Sequence, residues 1–258
     1  MLHVVYATIE VARDGRVNGG FDAIHRSARV IIPATPKQQK HMSTAMPQSD
    51  TGAQPASFGT QPDFVSARAY ALARLERELS PVLCYHSVTH TRDDVVVAAE
   101  RLAAQEGVAG EALLLLRTAA YFHDLGFVER REQHEAIGVR VASEVLPRFG
   151  YRPDQIALIT GMILATRLPQ TPHTLLECIL ADADLDVCGR DDFLTMNSCL
   201  RAELATAGNA ASDREWYAGQ LNFLRAHRYW TAAARAIRDP VKRANIAALE
   251  RLLAASEG

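Results

Sequence analysis

The chain has 258 residues, of which 48% are hydrophobic and 22% are charged, the balance of an ordinary globular protein. A chain of this length can bury a hydrophobic core without structural disulfides. Its 28 Lys and Arg residues nearly balance its 30 Asp and Glu residues, so the net charge of -2 excludes a broad electrostatic attraction to nucleic acid or anionic lipid. An anionic substrate would therefore have to be held by local groups.

The cysteines and the apolar runs bear on the cellular compartment. The chain has four cysteines, Cys84, Cys178, Cys188 and Cys199. They do not have the paired spacing of a zinc finger, and they are too few for the disulfide scaffold of a small secreted protein. No apolar run approaches the roughly 20 residues that a membrane-spanning helix needs, and the N-terminus has no long apolar stretch typical of a signal peptide. We therefore expect a cytoplasmic protein without a membrane partner.

The first 62 residues differ in composition from the remainder. Residues 33–62 are rich in Pro, Gln, Ser, Thr and Gly and poor in large apolar groups, which predicts a linker or a loose arm. Before them, the segment His3 to Ile32 has two apolar runs around Gly19 and Gly20 that fit two short strands. Met42 and Met46 are alternative starts of the chain. We predict a poorly ordered extension over residues 1–62 and one domain over residues 63–258.

From Asp63 onward the pattern is helical. Apolar residues at helical spacing, closed by Pro or Gly, predict helices over about 64–79, 91–106, 111–125, 134–149 and 153–166. The third of these is strongly apolar and should be a buried central helix with His123 and Asp124 in its last turn. Capping-box patterns at Thr174 with Glu177 and at Ser212 with Glu215 mark two further helix starts. The predicted fold class is all-α, a single helical bundle.

Three segments concentrate residues that ligate metals. They contain His86 and His90, then His123 and Asp124, and finally the acidic run Asp182, Asp184 and Asp186. Imidazole and carboxylate together suit divalent ions such as Zn, Fe or Mn. An ionised Asp124 beside an apolar helix would be costly to bury unless it is paired or binds a metal. Taken singly, the His-Asp pair also fits an ordinary hydrogen-bonded core pair, and the acidic run fits a solvated helix face.

Together these residues resemble the HD superfamily of metal-dependent phosphohydrolases, whose pattern is a His, then a His-Asp doublet, then a later Asp on a helical bundle. The resemblance spans roughly Tyr70 to Leu253. A group within the superfamily known only as predicted HD phosphohydrolases is similar in the segments YHSVTHT, AAYFHDLGF, ILATRLPQTP, ILADADLD and QLNFLRAHRYWT. The resemblance implies an HD-type helical bundle.

Carried over residue by residue, the resemblance implies four metal ligands, His90, His123, Asp124 and Asp184, with Asp182 as the rival of Asp184. On a continuous helix Asp182 and Asp184 point about 200° apart, so only one of them can face the ion. Ala165 and Thr166 stand where members with two metals often have another His. We therefore expect one divalent ion, drawn from Mn, Fe, Co, Ni, Mg and Zn.

The same resemblance suggests roles for residues around the ion. His134, about eleven residues after the doublet, is a candidate for substrate binding or proton transfer, and Asp124 is the other candidate proton acceptor. His86 precedes His90 by four residues and is expected to orient its neighbours or to line the substrate pocket. Arg167 and Arg190 are candidates for binding the phosphate, although both also fit solvated surface residues.

These residues predict a divalent-metal-dependent phosphohydrolase that acts on a small phosphoester, a nucleotide or related metabolite, by metal-activated water. The alternative is a regulatory module that senses a nucleotide or a metal without hydrolysis. Nucleic-acid binding is not favoured, because Arg225, Arg228, Arg235 and Arg238 fit the exposed side of a C-terminal helix in a chain of balanced charge. The sequence gives no prediction of oligomeric state.

The N-terminal composition generates a first test. A chain that starts at Met42 should keep the helical circular-dichroism signal, the cooperative melting and the metal content of the full chain, because residues before about Asp63 contribute little apolar surface to the core. A loss of helical signal or of cooperativity in the shortened chain would contradict this prediction and would require a larger domain.

Overall fold

The computed structural model describes residues 61–256. These residues form nine α-helices and contain no strand, which confirms the all-α prediction for this part of the chain. The helices are α1 (Phe64–Glu78), α2 (Val96–Gln105), α3 (Gly110–Phe122), α4 (His134–Val145), α5 (Pro153–Ala165), α6 (Leu175–Asp184), α7 (Phe193–Thr206), α8 (Asp213–Ala226) and α9 (Ala232–Ala255). The strands predicted before residue 33 and nearly all of the linker over 33–62 lie outside the described residues, and the division at residue 62 stays a prediction.

Side-chain caps fix several of the helix starts that the sequence marks. The Asp63 carboxylate accepts a hydrogen bond from the Ser66 amide at 3.0 Å and begins α1. Ser212 and Glu215 form the complete capping box at the start of α8. At α6, the Thr174 hydroxyl accepts from the Glu177 amide, but the Glu177 carboxylate accepts from the amide of His173 instead of Thr174. Only half of that predicted box therefore forms.

Two predicted helices differ from the structure near the ligand-type residues. The helix expected over 91–106 has a π-helical turn at His90–Val95 before α2 begins. His86 lies in the bend before this turn, so His86 and His90 do not lie on one continuous helix. Helix α3 ends at Phe122, three residues earlier than expected, so His123 and Asp124 lie in the turn that follows the helix and not in its last turn. Because the backbone is not α-helical at either position, the directions of these side chains do not follow α-helical periodicity.

Helix α3 is the centre of the bundle, as its apolar sequence predicts. It packs against α1, α2, α5 and α6, and Leu116, Ala119 and Phe122 are fully buried. The C-terminal end of α3 also lies against α4, because a Cβ atom on Gly138 would be 3.1 Å from the carbonyl oxygen of Phe122. The turn with His123 and Asp124 is therefore enclosed by the core rather than by solvent.

Helix α9 is fastened to the segment after α6 by a buried carboxylate. The Asp186 side chain accepts from the Arg238 guanidinium at 2.6 and 2.7 Å and from the Arg101 guanidinium at 2.7 Å. Arg238 therefore faces inward, which corrects the expectation of an exposed row of four arginines on one helix. Arg225 lies in the last turn of α8, and Arg228 lies in the connection to α9.

Among the described residues, none of the helices is both long enough and apolar enough to span a bilayer.

Candidate metal centre

Four ligand-type side chains from three separate parts of the chain meet in the interior of the bundle. His90 begins the π-helical turn before α2, His123 and Asp124 follow α3, and Asp184 is the last residue of α6. The side chains of His90, His123 and Asp124 are almost fully buried, and that of Asp184 keeps 19% of its surface exposed. We call these four residues the His/Asp cluster. Asp184 marks the side from which it can be reached.

The distances within the His/Asp cluster place its polar atoms around one point. His90 Nε2 lies 3.6 Å from Asp124 Oδ2 and 3.5 Å from Asp184 Oδ1. His123 Nε2 lies 3.3 Å from Asp124 Oδ2 and 3.4 Å from Asp184 Oδ1. These separations exceed the 2.7–3.2 Å typical of a direct hydrogen bond between nitrogen and oxygen. The atoms converge without bonding one another well.

Three atoms of the His/Asp cluster have no hydrogen-bond partner among the described residues. They are His90 Nε2, His123 Nε2 and Asp124 Oδ2, and all three are buried. A buried polar atom without a partner costs about 1–3 kcal/mol, and more if it is charged. Ligand atoms of His90, His123 and Asp124 lie within 4.8 Å of one another, so one cation could contact them all. The buried His-His-Asp group thus fits a divalent metal.

The tautomer of His123 also fits a metal ligand. Its Nδ1 lies 2.7 Å from the carbonyl oxygen of Ala120. A carbonyl oxygen only accepts, so Nδ1 must carry the hydrogen and donate it. In the neutral ring Nε2 is then left with a lone pair directed at Asp124 and Asp184, the arrangement that second-shell hydrogen bonds give to ligating histidines.

The charges of the His/Asp cluster stabilise one another strongly. Burial opposes protonation of His123, but Asp124 and Asp184 outweigh it and raise the pKa of His123 well above its usual value. Burial likewise opposes ionisation of Asp124 and Asp184, but the imidazoles hold the pKa of Asp124 well below its usual value and that of Asp184 at about 2. Without a metal, a protonated His123 supplies the positive charge that offsets the carboxylates of Asp124 and Asp184. A metal must displace that proton, so its affinity should fall as the pH is lowered.

Asp182 and Asp184 have different surroundings, as expected for two residues on opposite sides of one helix. The fully buried Asp182 carboxylate accepts hydrogen bonds from the amides of Trp230 and Thr231 at 2.7 and 2.8 Å and from the Thr231 hydroxyl at 2.7 Å. The Asp182 carboxylate is therefore the acceptor for N–H and O–H groups just before α9. Asp184 alone of the two lies in the His/Asp cluster.

His134, at the start of α4, lies beside the cluster with one ring nitrogen directed at it. Its Nδ1 lies 3.0 Å from the carbonyl oxygen of Arg131 and therefore donates to it. Its Nε2 lies 3.6 Å from Asp124 Oδ1 and 3.6 Å from Glu135 Oε1. A neutral His134 thus presents an Nε2 lone pair next to Asp124.

His86 lies on the same side, held by a residue that the sequence did not indicate. Its Nδ1 lies 2.6 Å from Glu203 Oε1, and its ring stacks on Phe127 at 4.1 Å between centroids. The side chain of Glu203, on α7, is completely buried and also accepts a hydrogen bond from Arg131. Burial opposes the ionisation of Glu203, but His86 and Arg131 hold its pKa at about 2. No motif marks Glu203, because it is 117 residues from His86 in the sequence.

The two arginines predicted to bind phosphate lie outside this group of contacts. Arg190 already donates to two carboxylates, those of Asp94 and Asp192. Arg167 is exposed in the loop after α5, and its guanidinium has no partner among the residues that the structure describes. At the position where a second His was missing, Ala165 and Thr166 are buried, and the Thr166 hydroxyl donates to the Ile163 carbonyl. Arg190 is therefore already paired, and Ala165 and Thr166 offer no further imidazole.

The comparisons with known proteins agree with this geometry. Residues 89–185 match the model of the HD domain, and this stretch contains all four members of the His/Asp cluster. Residues 89–185 are therefore similar to an HD domain, as the resemblance to the HD superfamily predicted. No curated protein matches the sequence.

Two solved structures share the fold. One is described as a predicted HD superfamily hydrolase from an uncultured Thermotogales bacterium. It is 20% identical with a TM-score of 0.51, and the match covers 75% of this chain and 93% of that one. The other is a protein from Lactobacillus plantarum, 17% identical with a TM-score of 0.54, and the match covers 77% of this chain and 100% of that one. At these identities the similarity shows a shared fold and nothing more.

The different surroundings of the two aspartates generate a test. Asp184→Asn should lower the metal content of the purified protein by about tenfold or more, because it removes a carboxylate from the His/Asp cluster. Asp182→Asn should leave the metal content near that of the wild type and lower the melting temperature instead. Elemental analysis beside thermal melting measures both. The reverse order of metal contents would assign the ligand role to Asp182.

Proposed function

We propose that the chain is a divalent-metal-dependent hydrolase of a small phosphoester, a nucleotide or related phosphorylated metabolite, with one ion held by His90, His123, Asp124 and Asp184. The observation that carries the proposal is the set of buried polar atoms without partners in the His/Asp cluster. A resident divalent ion supplies Lewis-acid polarisation of a phosphoryl oxygen and lowers the pKa of water at its open positions. The name of the Thermotogales protein, a predicted hydrolase, points the same way.

In this proposal His134 is the proton acceptor. Its Nδ1 is committed to the Arg131 carbonyl, so its free Nε2, 3.6 Å from Asp124 Oδ1, can take a proton from a water beside the cluster. Asp124, the other candidate, has a strongly lowered pKa and is therefore a weak base. A pure sensor has no need of such a base, so the position of His134 favours turnover over sensing.

The neighbours of His134 suggest how the substrate is positioned. Phe127 lies between His134 and His86, at 4.1 Å between ring centroids on either side. Glu203 holds His86 through Nδ1, which leaves its Nε2 for a polar group of the substrate. The Arg131 guanidinium lies 5.4 Å from the Phe127 ring and offsets the charge of Glu203. We infer that His86 contacts the substrate and that Glu203, together with Arg131, holds the His86 ring in position.

Asp124→Ala beside a matched control tests the proposal. The purified wild-type protein is first screened against a panel of phosphorylated metabolites with Mn, Mg, Co, Fe and Ni. On the substrate that the panel identifies, Asp124→Ala should lose its bound metal and lower turnover by at least about a hundredfold. The variant should melt near the metal-free wild type, because the change also removes the buried charge, and it should lack only the stability that the metal adds.

Asp191→Ala is the control, since Asp191 is exposed near the acidic run and has no ion-pair partner within residues 61–256. It should keep metal and turnover. Full metal occupancy and turnover in Asp124→Ala would show that His123 and Asp124 are an ordinary core pair. Metal binding by the wild type without turnover on any phosphoester would favour the sensor.

A further inference from the structure

A second concave site lies where α8 meets α9, and it contains no residue of the His/Asp cluster. The cavity has a volume of about 510 Å³, within the range of small-molecule pockets. Five cationic side chains line it against one carboxylate, that of Asp239; the cations are Arg225, Arg228, Arg235, Lys242 and Arg243. We call this cavity the α8–α9 cleft. In a chain with a net charge of -2, such a local excess of positive charge is a specific feature of this surface.

Two of these cations, Lys242 and Arg235, are held in place without an ion pair in the part of the chain that the structure describes. Lys242 is only 7% exposed, and its ammonium group donates to the His227 carbonyl and lies 5.6 Å from the centre of the Tyr229 ring. The Arg235 guanidinium donates to the carbonyls of Tyr229 and Trp230 at 3.0 and 2.6 Å. Neutral carbonyls and a ring face orient both groups, and neither group forms an ion pair with a carboxylate of the described residues.

The other cations differ in how much of their charge is available. Arg225 is paired with Glu250 at 2.6 Å. Arg228 and Arg243 are exposed, and among the described residues neither has a carboxylate or a hydrogen-bond acceptor as a partner. Two guanidinium groups at the cleft are therefore free to bind an anion, and guanidinium matches the geometry of phosphate oxygens.

A histidine in the cleft also lacks partners. Nδ1 and Nε2 of His227 are both buried, and neither has a hydrogen-bond partner in residues 61–256. Burial, followed by the charge of Lys242, lowers the pKa of His227 to about 3, so the ring is neutral and has one N–H to donate. Its ring stands edge-on to Tyr229 at 4.6 Å. Buried donors without partners are uncommon in native proteins and call for an explanation.

The remainder of the lining is apolar. Ile246 contributes partly exposed aliphatic surface, and Leu224 and Tyr229 lie behind the lining as buried side chains that are only 1% and 2% exposed. A cavity that combines a few convergent polar groups with apolar walls is typical of a site for an organic ligand rather than for a bare ion. Both parts of the lining must be matched by any occupant.

We propose that the α8–α9 cleft binds a small organic phosphate, whose phosphate group contacts Arg228 and Arg243 and whose apolar part lies against Ile246. Lys242 and His227 add a buried charge and a donor to the same ligand. The proposal is independent of hydrolysis at the His/Asp cluster.

Isothermal titration with ADP tests the proposal, and inorganic pyrophosphate is titrated separately in the same low-salt buffer. Wild-type protein should bind ADP, and the double variant Arg228→Gln with Arg243→Gln should bind it at least tenfold more weakly. Because both side chains are exposed and without partners, the double variant should melt like the wild type. Arg251→Gln is the matched control, since Arg251 is also exposed on α9 and lies outside the cleft. It should change the dissociation constant by less than twofold.

Asp124→Ala separates this cleft from the metal centre. ADP binding that survives Asp124→Ala and is lost in the double arginine variant supports the cleft. Binding that is lost in Asp124→Ala and kept in the arginine variant would place ADP at the His/Asp cluster and would overturn the proposal. An absence of ADP binding to wild type, or an equal loss in Arg251→Gln, would overturn it as well. Pyrophosphate binding as tightly as ADP would refute the apolar contact.

Discussion

Three buried polar atoms without hydrogen-bond partners, one each on His90, His123 and Asp124, set the main constraint on this fold. Their desolvation is costly, because neither imidazole nor carboxylate bonds well to its neighbours at 3.3 to 3.6 Å. A cation at their common point would offset that cost. The helical bundle must therefore bring three distant segments together while leaving their ligand atoms free.

The acidic run after α6 shows how the bundle meets this requirement. Asp182 binds the start of α9, and Asp186 binds Arg238 and Arg101, so both flanking carboxylates are used in packing. Only Asp184 is left for the cluster. Tyr229, which lines the α8–α9 cleft, donates to the carbonyl of Leu185 at 3.2 Å, directly after Asp184. The cleft and the metal centre are thus connected through one short segment.

Apolar periodicity predicted the helical class, because it is a local pattern. The resemblance to the HD superfamily implied the four residues that the structure brings together in the His/Asp cluster. The π-helical turn at His90 and the early end of α3 were missed, since tertiary packing decides the last turn of a helix. Glu203 and Arg131 could not be found, because their partnership with His86 exists only in the folded chain. For the same reason Arg190 fitted a phosphate ligand in sequence, whereas in the structure two carboxylates bind it.

Anomalous diffraction from crystals of the wild-type protein grown with Mn²⁺ tests the central claim most directly. We expect one strong peak among the four side chains, at about 2.0–2.3 Å from Nε2 of His90, Nε2 of His123 and an oxygen of each of Asp124 and Asp184. A peak that is bound by Asp182 instead of Asp184 would contradict the ligand assignment. No peak at the cluster, with His123 and Asp124 in a direct hydrogen bond, would contradict the account as a whole.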